Sequence, residues 1–350
     1  MTTFDSIPAE LEGATRLVAD VGAGVDGPRE HVADYGDPGA EGHALDAGAA
    51  LASRSTRDLV TVEGPDTWTF LQSLVSADLD PLTDGEGVPA LLLAPQGKLI
   101  AHFLVLRISA TDAWLLVEAG HGADLLAALG RFRIRVQVEL VDRTDRLGVI
   151  SVLGPAARRA VAEWSAAEVA KDPGSNVAVG RVRFVSNPWP GVDAIDCIGR
   201  PDVLDGVWRA LRGHGLVPVG HDVLEAARIR AGVPRLGVDV DDRTIPQEAF
   251  LERDAVSFTK GCFIGQELVC RIDTRGHVNR YLRVLTSDGD LRPGDEVAHD
   301  GKVVGAVSSA APLTTGGTVA LAMIRREVDP GAAVVAGGAV AMVHEAPPGG

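Results

Sequence analysis

The sequence predicts an α+β protein: two tandem ferredoxin-like βαββαβ units followed by a C-terminal antiparallel β-barrel. Three observations predict it. An order of strand, helix, strand, strand, helix, strand can be read from Arg57 to Leu140, and the same order returns from Leu147 to Val219. Beyond Arg280 come short strand-like runs punctuated by Pro293-Gly294, Asp300-Gly301, Gly316-Gly317 and Asp329-Pro330-Gly331, which is the turn chemistry of a small barrel.

Residues 1–50, rich in Gly, Ala, Asp and Pro, read as an arm and lead-in. The first unit, 51–145, opens with the strand Leu59-Val60-Thr61-Val62. Gly64-Pro65-Asp66 starts a helix in which Trp68, Leu71, Leu74 and Val75 recur at helical spacing. Strands over 98–108 and 113–118 follow, then a helix with Leu125, Leu126 and Leu129 on one face. Ile134, Val136, Val138 and Leu140 alternate with polar residues and predict a last strand. The second unit, 146–224, repeats the order with strands over 147–153, 177–185, 192–198 and 216–219 and helices over 155–164 and 201–212. A further helix over 221–231 leads into 232–280, a stretch too dense in Gly, Pro, Arg and Asp to be a domain, and such stretches commonly carry function. Residues 225–282 are expected to complete the first unit, and 283–346 to form the barrel.

A chain of 350 residues with 46% hydrophobic and 23% charged side chains can build two or three sizeable cores. The 48 acidic against 33 basic residues leave a net charge of −15, which excludes a general phosphate-backbone binder, so direct nucleic-acid binding is not expected. Three scattered cysteines without a C-x-x-C pair suggest neither a disulfide framework nor a structural zinc site, and nine dispersed histidines offer no metal-ligand spacing. The N-terminal dozen residues carry no basic and apolar leader, and no run of 18 apolar residues occurs, so a cytoplasmic protein without membrane contact is expected. Gly22-Ala23-Gly24-Val25-Asp26-Gly27 matches the dinucleotide fingerprint, but Pro28 follows where a helix should open, and a flexible loop is the expected reading.

The informative segment is Lys260-Gly261-Cys262-Phe263-Ile264-Gly265-Gln266-Glu267. Its two glycines permit an unusual backbone path, and a helix is expected from Gln266 onward. Cys262 would then sit just before a helix N-terminus, where the dipole and Lys260, one of only four lysines, would favour the thiolate. Read without that chemistry, Cys262 is a small buried hydrophobe and Glu267 an ordinary cap. Upstream, Arg228, Arg230 and Arg235 form a basic island beside Asp239, Asp241, Asp242 and Glu248. Arginines would grip carboxylates in bidentate fashion and a buried carboxylate would hold an amino-heterocycle, as a ligand with a pterin-like head and polycarboxylate tail requires. The plainer reading pairs these charges with one another.

These residues resemble the YgfZ-type folate-binding proteins, relatives of the glycine-cleavage T-protein, the tetrahydrofolate-dependent aminomethyltransferase. The segment 260–267 is similar to the K-G-C-[FY]-x-G-Q-E signature, with Arg271 the arginine four residues on. Ala94-Pro95-Gln96-Gly97-Lys98 resembles the family's P-x-G-[KR] turn, and Ala231-Gly232-Val233-Pro234 through Ile245-Pro246-Gln247-Glu248 its G-x-P and P-x-E block. The resemblance spans about 33–345 and implies tetrahydrofolate or a one-carbon derivative as cofactor, with Arg228, Arg230, Asp239 and Glu248 as candidate folate contacts. It implies support of iron–sulfur client proteins, with Cys262 the active thiol tuned by Lys260. Gly261, Phe263 and Gly265 would shape the loop, Gln266 and Glu267 would orient it or a ligand, and Arg271 would anchor an anion. The alternative is a folate-dependent one-carbon transferase or demethylase. Aminomethyltransferases place a catalytic aspartate just after the P-x-G turn, where this chain reads Leu99-Ile100-Ala101-His102, and a pterin-gripping glutamate where it has Arg230.

Overall fold

The computed structural model describes residues 16–20, 29–53 and 57–346. The glycine-rich stretch 22–27 and residues 347–350 lie outside the described residues. Within the lead-in, β1 (Arg16–Asp20) and β2 (Arg29–Asp34) pair antiparallel. Helix α1 (Pro38–Ala47) starts where Asp37 accepts the Ala40 N–H at 2.9 Å and Pro38 occupies the first turn, and β3 (Ala50–Ser53) follows.

The first unit comprises β4 (Arg57–Glu63), α2 (Thr67–Leu74), β5 (Gly87–Leu93), β6 (Leu99–Arg107), β7 (Asp112–Glu118), α3 (Gly122–Gly130) and β8 (Glu139–Asp142). Its sheet runs β5-β6-β7-β4-β8, the ferredoxin-like order with one strand added at the edge. The added β5 escapes sequence reading because Pro89 interrupts its apolar run; at a sheet edge the missing N–H costs no ladder bond. The strand expected across 133–140 begins only at Glu139, because Arg135 takes a left-handed backbone at φ 59° and turns the chain out of register.

The second unit comprises β9 (Gly148–Leu153), α4 (Ala157–Ser165), β10 (Asn176–Val179), β11 (Val182–Ser186), β12 (Ala194–Gly199), α5 (Pro201–Gly213) and β13 (Val217–Pro218). The single strand expected over 177–185 is a hairpin, folded at Gly180 with φ 60°. The sheet runs β10-β11-β12-β9-β3-β13, so the strand beside β9 is β3, recruited from ahead of the first unit. Ala50, Leu51 and Ala52 are wholly buried, as a strand apolar on both faces requires, whereas β13 is two residues long and pairs only with β3. Helix α5 covers this sheet with Leu204, Val207, Trp208 and Leu211, a spacing that puts all four on one face.

The connecting segment holds α6 (His221–Arg230), a 3₁₀ turn at Pro246–Glu248, α7 (Glu252–Ala255) and α8 (Gln266–Arg275). The barrel strands β14 (Arg280–Ser287), β15 (Glu296–His299), β16 (Lys302–Pro312), β17 (Thr318–Arg325), β18 (Ala333–Ala336) and β19 (Ala339–Glu345) close in the order β14-β17-β16-β15-β18-β19. One core joins the first unit (Leu91, Phe103) to the connecting segment (Ile229, Leu251, Phe263, Val269) and the barrel (Leu282, Leu321). The two sheets meet through Leu59, Leu104, Leu106, Leu116, Val149, Val185 and Ile198. Among the described residues no helix is long and apolar enough to cross a membrane.

Candidate functional site

Where the sheets meet they leave a cavity of about 170 Å³. The first sheet supplies Arg57 and His102, the second unit Trp189, and the connecting segment Val233, Phe250 and Asp254. Strand alternation explains His102: Leu99, Ala101 and Phe103 enter the core, so His102 and Leu104 take the opposite face. Burial, reinforced by the positive charge of Arg57, pushes His102 down to about 4, so its ring is neutral at pH 7. Among the described residues that ring has no hydrogen-bond partner. Arg57 leans on Glu118 at 3.4 Å. Asp254 presents an exposed carboxylate to the same space.

Phe250 holds a left-handed backbone at φ 59°, which a bulky residue adopts only when its surroundings enforce it. They do so here. Its ring stacks on Tyr281 at 5.4 Å and 7°, with Arg253 4.4 Å over its face and Arg283 4.9 Å over Tyr281.

The motif loop lies elsewhere. Cys262 is exposed, carries a free thiol and is not on the cavity wall, four residues ahead of α8. Lys260 does not serve it. The Lys260 ammonium donates to the carbonyls of Gln72, Val75 and Ala77 at 2.7, 2.9 and 2.7 Å, closing the C-terminal end of α2, where unsatisfied carbonyls attract a cation. Burial also pushes this amine below its ordinary value. Phe263 is buried in the shared core. Gly265 does shape the loop: at φ 80° a Cβ there would lie 2.5 Å from the Ala94 carbonyl, and one on Gly97 would lie 2.8 Å from Leu268 Cβ. The P-x-G turn and the 260–267 motif therefore interlock through two glycines. Gly261 does not shape it, since a Cβ there meets nothing. The Gln266 backbone N–H donates to Phe263 O at 3.4 Å, but its side chain has no hydrogen-bond partner among the described residues. Glu267 and Arg271 are exposed and pair with each other at 3.3 Å one helical turn apart.

The expected folate contacts are likewise occupied from within. Buried Arg228 donates to both Glu225 oxygens (2.8 and 2.6 Å), to Asp239 (2.9 Å) and to Val233 O. Asp239 also accepts from the Arg235 backbone N–H and from Ser308 and Ser309 of β16, which ties α6 to the barrel. Burial opposes the Glu225 charge, yet the Arg228 guanidinium overrides it and holds the carboxyl down at about 2. Arg228 itself loses by burial and is nonetheless held above its ordinary value by Asp239 and Glu225. Arg230 points outward to Asp46 at 2.7 Å. Glu248 takes a bidentate pair from Arg280 (2.9 and 3.1 Å) and caps the Ile245 N–H. The plainer reading of these charges, mutual pairing, is the one the side chains follow. Sequence reasoning missed His102, Asp254 and Phe250, and the one available signal was a histidine inside an otherwise apolar strand.

The His102 shift has a measurable consequence. Its folded-state value lies below the unfolded value of about 6.5, so the unfolded chain takes up the proton first and stability falls as pH drops from 6.5 toward 4. Urea unfolding of the His102→Gln variant at pH 7 and pH 4.5 should show a smaller loss between the two pH values than the parent does. An equal loss would mean that His102 titrates normally.

Residues 32–186 match the family model described as the GCVT N-terminal domain. The aminomethyltransferase of Nostoc sp. (strain PCC 7120 / SAG 25.82 / UTEX 2576) is 27% identical over 296 residues, 81% of this chain and 79% of the relative. That of Rippkaea orientalis (strain PCC 8801 / RF-1) is 28% identical over 283 residues, 76% of each. The crystal structure of glycine cleavage system aminomethyltransferase T from Bartonella henselae superposes with a TM-score of 0.85 at 20% identity, covering 97% of this chain and 95% of that one, so the two share a fold. The chain therefore carries a GCVT-type domain over 32–186 and shares the fold of that aminomethyltransferase.

Proposed function

We propose that this chain binds tetrahydrofolate in the cavity between the two sheets and acts in folate-dependent one-carbon transfer. The observation that carries the reading is the cavity wall itself: a neutral histidine and a carboxylate, both without a partner among the described residues, meet aromatic side chains at the junction of the two sheets and the connecting segment. Aminomethyltransferases, the relatives of this chain, use tetrahydrofolate. The residues present fit such a ligand. Asp254 can accept two parallel hydrogen bonds from an amino-heterocycle, and Trp189 adds an aromatic side chain to the wall. Bound there, the reduced folate would supply the nitrogen that accepts or releases the one-carbon unit. His102 takes the place of the carboxylate missing from 99–102, with Ala101 turned into the core, and its unprotonated ring nitrogen can accept a hydrogen bond, or a proton in passing, from the bound ligand at pH 7. Titration calorimetry with tetrahydrofolate should give saturable binding that His102→Ala leaves within a few-fold while one-carbon transfer falls about 100-fold or more. No heat with the parent protein, or full transfer by the variant, would overturn the reading.

A second reading is favoured by one observation, the exposed free thiol of Cys262 on a loop pinned by Lys260 and Gly265. A thiol facing solvent and not the cavity suits exchange with another macromolecule, and the YgfZ-type role is the cytoplasmic support of iron–sulfur client proteins. Cys262→Ala should then lose the activity of iron–sulfur enzymes in a deletion strain with folate affinity unchanged. Complete complementation by that variant removes this reading and leaves the first untouched.

A further inference from the structure

The loop between α3 and β8 has no part in the folate reading. Its first five residues, Arg131-Phe132-Arg133-Ile134-Arg135, are all exposed, Phe132 by 41% and Ile134 by 73%. The alternation that should lay Ile134 on the sheet is broken by Arg135, whose left-handed backbone is one that L-residues rarely adopt. Among the described residues no ion pair or hydrogen bond engages the guanidinium groups of Arg131, Arg133 and Arg135. In a chain of 48 acidic and 33 basic residues, three unpaired cations gathered around two exposed hydrophobes are out of character with the rest of the surface.

We propose that the 131–135 loop docks an acidic protein partner, whose carboxylates pair with the three arginines while its apolar side chains cover Phe132 and Ile134. The residue types point to a protein. Arginine meets carboxylates in bidentate pairs, and arginine and phenylalanine are the side chains enriched at the buried centres of interfaces. A phosphate backbone offers nothing to cover Phe132 and Ile134. For an anionic membrane, two apolar side chains with three cations fall short of stable anchoring. A second copy would set the same arginines against one another across a symmetric contact. The place also suits docking. Strand β4 runs from Arg57 at the cavity to Glu63, the cross-strand neighbour of Glu139, so the loop stands about 20 Å from the cavity at 3.3 Å per residue and leaves it open.

The probe is a fluorescein-labelled 12-residue peptide of alternating Glu and Leu, followed by anisotropy at 50 and 300 mM salt. Saturable binding that weakens with salt is expected. Arg131→Ser with Arg133→Ser and Arg135→Ser should weaken it at least tenfold, and Phe132→Ser with Ile134→Ser at least fivefold, with melting temperatures unchanged because the loop is exposed. Absence of binding, equal binding to both variants, or an all-Glu peptide binding as tightly would overturn the proposal. So would phosphatidylserine vesicles or single-stranded DNA bound by the parent and released by the same variants, or a dimer in sedimentation velocity that Phe132→Ser with Ile134→Ser dissolves.

Discussion

Replacing Arg228 by methionine should lower the unfolding free energy by about 3–5 kcal/mol, the cost of removing one member of a buried ionic network. Methionine matches the length of the stem and adds no strain, so the effect isolates the charge. It would leave Glu225, 12% exposed as a side chain, with only the longer 3.9 Å pair to Arg235, and Asp239, 0% exposed, with only the serine hydroxyls and one backbone donor. The damage reaches beyond α6 because Asp239 is the link to β16 of the barrel. Urea unfolding should show the midpoint falling at unchanged slope, and adding Glu225→Gln and Asp239→Asn should recover part of the loss, since neutral partners no longer need the cation. A single-variant loss below 1 kcal/mol would show that water enters and screens the network.

Within the motif at 260–267, alanine substitution at its two glycines should have opposite outcomes. Gly265→Ala forces a Cβ to 2.5 Å from a backbone carbonyl at φ 80°, where the left-handed conformation alone costs about 1–2 kcal/mol, so a total near 3 kcal/mol is expected. Gly261→Ala faces open space at ordinary φ and should stay within about 0.5 kcal/mol. Thermal unfolding of the two variants side by side measures the contrast. If both melt like the parent, the interlock with the Ala94–Gly97 turn is softer than its geometry implies. Because that turn leads directly into β6, the destabilised variant should also bind tetrahydrofolate less tightly, through displacement of His102.

What periodicity can report is local, and the chain shows the limit in both directions. Leu204, Val207, Trp208 and Leu211 recur at helical spacing and do cover one sheet, and the turn pairs after Arg280 do delimit barrel strands. The partner of a strand is not a local property, so nothing in Ala50-Leu51-Ala52 says that it pairs with residues a hundred positions on. The same holds for charges. Arg228 and Asp239 stand 11 residues apart and Asp239 and Ser309 stand 70 apart, so the island at 228–239 looked available for a ligand until its internal partners were placed. The cavity draws Arg57, His102, Trp189 and Phe250 from four separate segments, and no window of sequence contains more than one of them.

The recruitment of β3 also dictates an order of events during synthesis. At 5–20 residues per second, the ribosome takes roughly 5–20 s to reach β9 after β3 has emerged. Throughout that interval the apolar run Ala50-Leu51-Ala52 has no neighbour to pair with, while the first unit downstream can already close. A chain begun at Arg57 would have the converse problem: β9 would emerge with one edge permanently unpaired, an open template for strand addition by other molecules. Such a truncated chain should aggregate as it is made, even though every residue of the cavity wall is present in it.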